Sequence, residues 1–198
     1  MIYSNFYKIW ANNNIKPANY ILLFGIIFCA CFQVIWHFGF GWQGIIGAFL
    51  TYVLVVQSYI DFKYQIIPDE ITWPMLWFGI IVNFFGVFAG FKAAMFGAIC
   101  GYFSLWLIYW AFYIITKKEG LGYGDFKLLA MLGAWLGWQM LPLIILLSTV
   151  LGSIVGIGAI IFTNKKFYSR IPFGPFLAFS GWVALMWGNA INTWYLNL

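Results

Sequence analysis

PLIILLSTVLGSIVGIGAIIFT, residues 142–163, is an unbroken run of 22 residues without a charge. At 1.5 Å per helical residue it reaches about 33 Å, enough to cross the hydrocarbon core of a bilayer. Its apolar side chains do not keep to one stripe, as they would on a water-facing helix, so every face must be solvated by lipid or by protein. Working outward, similar runs occupy 19–38, 43–60, 71–90, 93–115, 127–140 and 176–194, bounded by Gly, Pro, Asn or charge. The fifth is short for a crossing. It is expected either to run close to the membrane normal or to begin inside the protein at membrane depth.

Composition says the same. The 198 residues are 64% hydrophobic and 8% charged, where an ordinary soluble domain carries roughly a quarter charged residues. A soluble globular enzyme is excluded. We expect an all-α, polytopic integral membrane protein of about seven transmembrane helices: a short cytoplasmic segment at 1–18, then one membrane-embedded domain at 19–198. The first residues, MIYSNFYKIWANNNIKP, hold no apolar core followed by a small-residue cleavage site, so no removable signal peptide is read there.

The net charge of +5 fits orientation better than nucleic acid, because a membrane chain keeps Lys and Arg on the cytoplasmic side. With the N-terminus inside, the inner segments and their borders hold Lys8, Lys16, Lys63, Lys117, Lys118, Lys127, Lys165, Lys166 and Arg170, and the outer ones hold only Lys92. Trp42, Trp73, Trp138 and Trp194 lie near predicted span ends, where amphipathic rings favour the interface. Cys29, Cys31 and Cys100 sit in apolar stretches and read as small hydrophobes, and His37 has no ligating neighbours, so no metal site is expected.

Five acids remain, in two clusters on the same predicted face. Asp61, Asp69 and Glu70 lie in SYIDFKYQIIPDEITW; Glu119 and Asp125 lie in KKEGLGYGDFKLLAMLG. Ionisable groups at membrane depth are costly and mark function by default. Gly120, Gly122 and Gly124 leave alternate positions without a Cβ, allowing positive φ and close approach of a second backbone. Pro68 disfavours helix at Ile67, and Asp69 can cap the span that starts at Glu70 or Ile71. Two carboxylates brought close cannot both ionise cheaply, so one holds a proton while the other accepts one, which suits hydrolysis of a peptide bond. Other readings stay open on these residues alone. Asp61 and Asp125 can be helix caps or partners of Lys63 and Lys127. They can form an ion or proton relay. With Asp69 and Glu70 they can hold Mg²⁺ in a membrane transferase acting on lipid phosphate, although Arg170 is the one Arg available for such a substrate.

Asp61 with IIPD eight residues on, followed by GYGD ending at Asp125, 64 residues after Asp61, resembles the two-aspartate signature of the type IV prepilin peptidases, membrane aspartic proteases of the GxGD class. The stretches WHFGFGWQ, GYFSLW to GWQMLPL, and IPFGPFLAFSGW extend the resemblance over roughly residues 30 to 190. It implies that Asp61 and Asp125 are the catalytic pair, with Gly122 and Gly124 as flexible motif backbone, Lys127 as a basic neighbour, and Pro68 and Asp69 closing the first motif. It also implies a bacterial inner-membrane location, an active site on the cytoplasmic side, and substrates of one class. These are prepilins or pseudopilins, whose short basic leader ends in Gly before an apolar helix. Similar bacterial enzymes carry an N-terminal cytoplasmic domain with two CxxC pairs and also N-methylate the new terminus with S-adenosylmethionine. MIYSNFYKIWANNNIKPA holds no CxxC. The expectation is therefore a peptidase that needs no cofactor, with S-adenosylmethionine required only where methyl transfer is retained. The basic loop NKKFYSRIPFGP at 164–175 either holds topology or meets anionic lipid or a substrate acid.

Overall fold

Each apolar run becomes a helix in the computed structural model, which describes residues 17–117, 120, 122–163 and 172–196. Lys8, Lys16, Lys118, Glu119, Lys165, Lys166 and Arg170 lie outside the described residues. The helices are α1 (Pro17–Phe38), α2 (Trp42–Tyr64), α3 (Asp69–Phe84), α4 (Phe91–Thr116), α5 (Tyr123–Leu136), α6 (Leu141–Thr163) and α7 (Gly174–Leu196), with a 3₁₀ turn at Trp138–Met140 between α5 and α6. The fold among the described residues is all-α, as expected.

The boundaries differ from the apolar runs where backbone chemistry overrides hydropathy. α2 continues through Asp61 to Tyr64 and stops where Gln65 turns left-handed (φ 56°), its N–H donating to the Asp61 carbonyl at 2.8 Å. α3 ends at Phe84 rather than at 90, because Gly86 takes φ 71°. α5 opens at Tyr123, four residues ahead of the expected start, and is broken by Gly137 at φ 83°.

Among the described residues four segments are long and apolar enough to cross a membrane: Ile21–Phe38, Trp42–Tyr64, Phe91–Thr116 and Trp138–Ala159. The other three expected spans form helices of different character. α3 has 16 residues and begins with two acids. α7 is interrupted by Ser, Gly, Asn and Thr. α5 has 14 residues, about 21 Å of helix, and apart from Lys127 every residue from Asp125 to Leu136 is buried. The fifth run thus belongs to a core helix that is exposed at its first residue, Tyr123, enters the interior at Asp125 and is wrapped by α3, α4 and α7.

Small residues make that wrapping possible. Gly97 and Gly101 on α4 face the backbone of α5: a Cβ on Gly97 would meet the Gly133 carbonyl, and one on Gly133 would meet the Gly97 carbonyl. Such spacing lets two helices close to backbone contact where no hydrophobic drive separates lipid from protein. On the opposite side the indole of Trp135, fully buried, lies over Gly79 and donates Nε1–H to the Met75 carbonyl at 2.8 Å. Asn83 closes the far end. Its Nδ2 donates to the Ala134 and Trp135 carbonyls, and its Oδ1 accepts from the Phe88 and Ala89 amides. α1 packs on α2 and turns Phe24, Phe28, Phe32 and Trp36 outward, a surface suited to lipid. Trp42, Trp73, Trp138 and Trp194 are exposed, as an interfacial role requires. The cysteines are free thiols, with Cys31 Sγ against the Ala48 carbonyl, consistent with small hydrophobes.

Candidate active site

Asp61 sits in the last turn of α2 and Asp125 in the first turn of α5, each only 6% exposed. A helix start leaves N–H groups without intrahelical partners, and a carboxylate is favoured there. Both acids use such groups. Asp61 Oδ2 accepts the N–H of Gly174, the first residue of α7, at 3.0 Å. Asp125 Oδ2 accepts the N–H of Gly122, ahead of α5, at 3.2 Å, and its own N–H returns to the Gly122 carbonyl at 3.1 Å. Among the described residues no hydrogen bond reaches Oδ1 of either acid. Among the described residues each carboxylate is therefore held through Oδ2 and has no hydrogen-bond partner at Oδ1.

The two acids are also electrostatically coupled. Burial, and next the charge of Asp61, push the Asp125 carboxyl up to about 7, against the Gly122 N–H, which pulls it down. Among the described residues no cluster of three or more possible metal ligands forms, so the four acids that a Mg²⁺ site would need are not gathered. Asp61 lies near enough for its charge to act on Asp125; Asp69 and Glu70 stay exposed at the head of α3.

Three expectations are corrected by this geometry. Asp69 does not cap α3. It is the first helical residue, Pro68 is the N-cap, and both Asp69 oxygens bind Lys127 Nζ, at 2.6 and 2.7 Å. The same ion pair takes Lys127 away from Asp125, so that the cap reading of Asp125 survives only through Gly122. Finally, the motif glycines are not left-handed. Gly122 is extended (φ −80°, ψ 144°), and Gly124 is required because a Cβ there would lie 2.9 Å from Ile67 Cβ. Close approach, rather than positive φ, explains them.

Four residues of the site escaped the sequence. Gly174 must lack a Cβ, which would stand 2.6 Å from Asp61 Oδ2. Ile67 lies against both Gly124 and Gly174. Gln57, one turn before Asp61, is buried and donates Nε2–H to Thr72 Oγ1 at 2.8 Å; that hydroxyl donates to the Pro68 carbonyl at 2.8 Å. A lone Gln inside the run VLVVQSYI was a usable signal. Gly174, in IPFGP, reads as an ordinary loop residue until α7 is placed.

A model described as the type IV leader peptidase family matches residues 48–157, which include both acids. A protein of Pseudomonas aeruginosa named "Prepilin leader peptidase/N-methyltransferase" is 53% identical over 164 residues, covering 83% of this chain and 57% of the relative. Proteins of the same name from Stutzerimonas stutzeri and Legionella pneumophila are 52% and 41% identical, covering 83% and 82% of this chain and 57% and 56% of their own length. The chain thus spans little more than half of these relatives. No solved structure matches it.

Proposed function

Because the chain belongs to the type IV leader peptidase family, we propose that it is an aspartic endopeptidase that removes the basic leader of type IV prepilins or pseudopilins after the leader's terminal Gly, with Asp61 and Asp125 as the catalytic pair and no cofactor in that step. The observation that carries the reading is the pair itself: two buried carboxylates from different helices, each held through Oδ2 by a backbone N–H and without a hydrogen-bond partner at Oδ1 among the described residues.

The chemistry follows from their unequal protonation. Asp125, pushed up to about 7, holds the proton, and Asp61 is the base. Asp61 takes a proton from water as its oxygen attacks the scissile carbonyl carbon, while Asp125 passes its proton to the carbonyl oxygen. In the collapse Asp125 recovers that proton as the carbonyl reforms, and Asp61 delivers its own to the leaving amine as the C–N bond breaks. Both acids end as they began. The site lies at helix ends, on the side that the Lys and Arg bias makes cytoplasmic, so a basic leader stays in water while the apolar helix of the substrate stays in lipid. The relatives' name adds an N-methyltransferase. No residue described here is assigned to that step, and S-adenosylmethionine enters only with it.

Co-expression with a prepilin, followed by mass determination of the product, tests the reading and reports any added methyl group in the same measurement. Asp61→Asn and Asp125→Asn should each abolish leader loss while the protein stays in the membrane. Full cleavage by either variant overturns the assignment. Loss of cleavage on adding a chelator would favour a metal-dependent reading instead.

A further inference from the structure

Ile67 is a residue with little freedom. The ring of Pro68 disfavours helical backbone at the residue before it, and a β-branched side chain is stiff at χ1. It is 8% exposed, between α2 and α3. Behind it, the Pro68 carbonyl is held by Thr72 Oγ1, which in turn accepts from Gln57. Two glycines from distant elements close on this side chain. A Cβ on Gly124 would lie 2.9 Å from Ile67 Cβ and 3.4 Å from Cγ1; one on Gly174 would lie 3.1 Å from Cδ1. Gly124 immediately precedes Asp125, and Gly174 gives its N–H to Asp61.

We propose that Ile67 is a positioning residue for the aspartate pair, a rigid spacer whose side chain sets the separation between the backbone that carries Asp125 and the helix start that holds Asp61. Ile67 touches the two backbones and acts on the reaction through them. Cδ1 reaches both sides, 3.1 Å from a Cβ on Gly174 and 3.5 Å from one on Gly124, while Cβ and Cγ1 make the closest approach to Gly124; Ile67→Val removes Cδ1 and keeps the nearer support of Gly124, so the Asp61 side loosens first. The proposal rests on the peptidase reading for its kinetic consequence, and on contacts alone for its structural one.

The test uses the full chain in proteoliposomes with a prepilin substrate, comparing wild type with Ile67→Val, Ile67→Ala and, as a control, the half-exposed neighbour Ile66→Ala. Displacements of a fraction of an ångström at reacting groups cost rate rather than binding, so Ile67→Ala should lower kcat by about thirtyfold and Ile67→Val by about threefold, with KM within about twofold of wild type and Ile66→Ala unchanged. Hydrogen exchange supplies the readout independent of activity: peptides containing Gly174 should exchange faster in both Ile67 variants, and those containing Gly122 chiefly in Ile67→Ala. Wild-type kcat in Ile67→Ala, a change confined to KM, or unaltered exchange at both glycines overturns the proposal. If Ile67→Ala does not fold, Ile67→Val decides it, and wild-type exchange at Gly174 in that variant is the refuting result. If wild type itself leaves prepilin uncut, the peptidase reading fails while the exchange data still test the spacer.

Discussion

Gly174→Ala perturbs the site by one methyl group. The new Cβ would stand 2.6 Å from Asp61 Oδ2, where ordinary contact begins at 3.4 Å, so the carboxylate must withdraw by about 0.8 Å. The backbone cannot easily yield instead, because Leu177 and Ala178 in the following turn are buried against the core. Withdrawal weakens the 3.0 Å bond from the Gly174 N–H, and a hydrogen bond to a charged group is worth about 1.5–3 kcal/mol. A misplacement near 1 Å costs on the order of a hundredfold in rate. Together these set the expected loss of kcat at about 10- to 100-fold, or about 1.4–2.7 kcal/mol of barrier, with KM nearly unchanged because the carboxylate acts on water rather than holding the substrate. Initial rates of leader removal in proteoliposomes, normalised to folded protein, measure it. Gly158→Ala, on α6 with nothing within 4 Å of the added methyl, is the control and should cleave as wild type does. A Gly174→Ala protein with wild-type kcat, or an equal loss in Gly158→Ala, refutes the idea that Asp61 works from its seat on α7.

The proton on Asp125 gives the pH dependence its sign: held below about 7 and lost above it, so cleavage should decline as pH rises through that value, and a rate that stays level from about 6 to 9 contradicts Asp125 as the acid. Asn83→Ala strips partners from two carbonyls and two amides at the closed end of the bundle; at about 1–3 kcal/mol per orphaned buried group, the thermal midpoint should fall by more than about 6 °C, and a shift under about 2 °C would show that water replaces the amide. Asp69→Asn breaks an ion pair whose side chains are 51% and 25% exposed; such pairs contribute about 0–1 kcal/mol, so the midpoint should move by less than about 3 °C, and a larger fall would make the pair a structural clamp.

The helices were legible because long uncharged runs have few alternatives, and the burial of Asp61 and Asp125 was suggested because both adjoin apolar helical runs in a chain with five acids in 198 residues. The resemblance to prepilin peptidases is borne out by the family match. Hydropathy alone could not tell a helix solvated by lipid from one solvated by protein, so α5 read as a span although its surroundings are α3, α4 and α7. What decided its place was Gly133 meeting Gly97, a contact that no run of apolar letters encodes. Asp69 was misread for a related reason. Its capping propensity is local, whereas its partner Lys127 is 58 residues away. Gly174 and Asp61 are 113 apart.

The helix ends that converge on the pair explain why the site lies where it does. A helix start leaves N–H groups free, and such groups cannot be left bare in hydrocarbon, so the starts of α5 and α7 belong at a border or inside the protein. There they favour an ionised carboxylate, while burial favours a neutral one. Asp125 shows the balance: the Gly122 N–H pulls its carboxyl down, burial and Asp61 push it up, and the outcome is near 7, where a group can both give and regain a proton. A deeper position would lose the N–H donors, and a more exposed one would lose the burial that keeps the proton on. A carboxylate pair held by the N–H groups of helix starts is thus confined to a border or to the protein interior, the layer in which the proposed substrate would pass from water into an apolar helix.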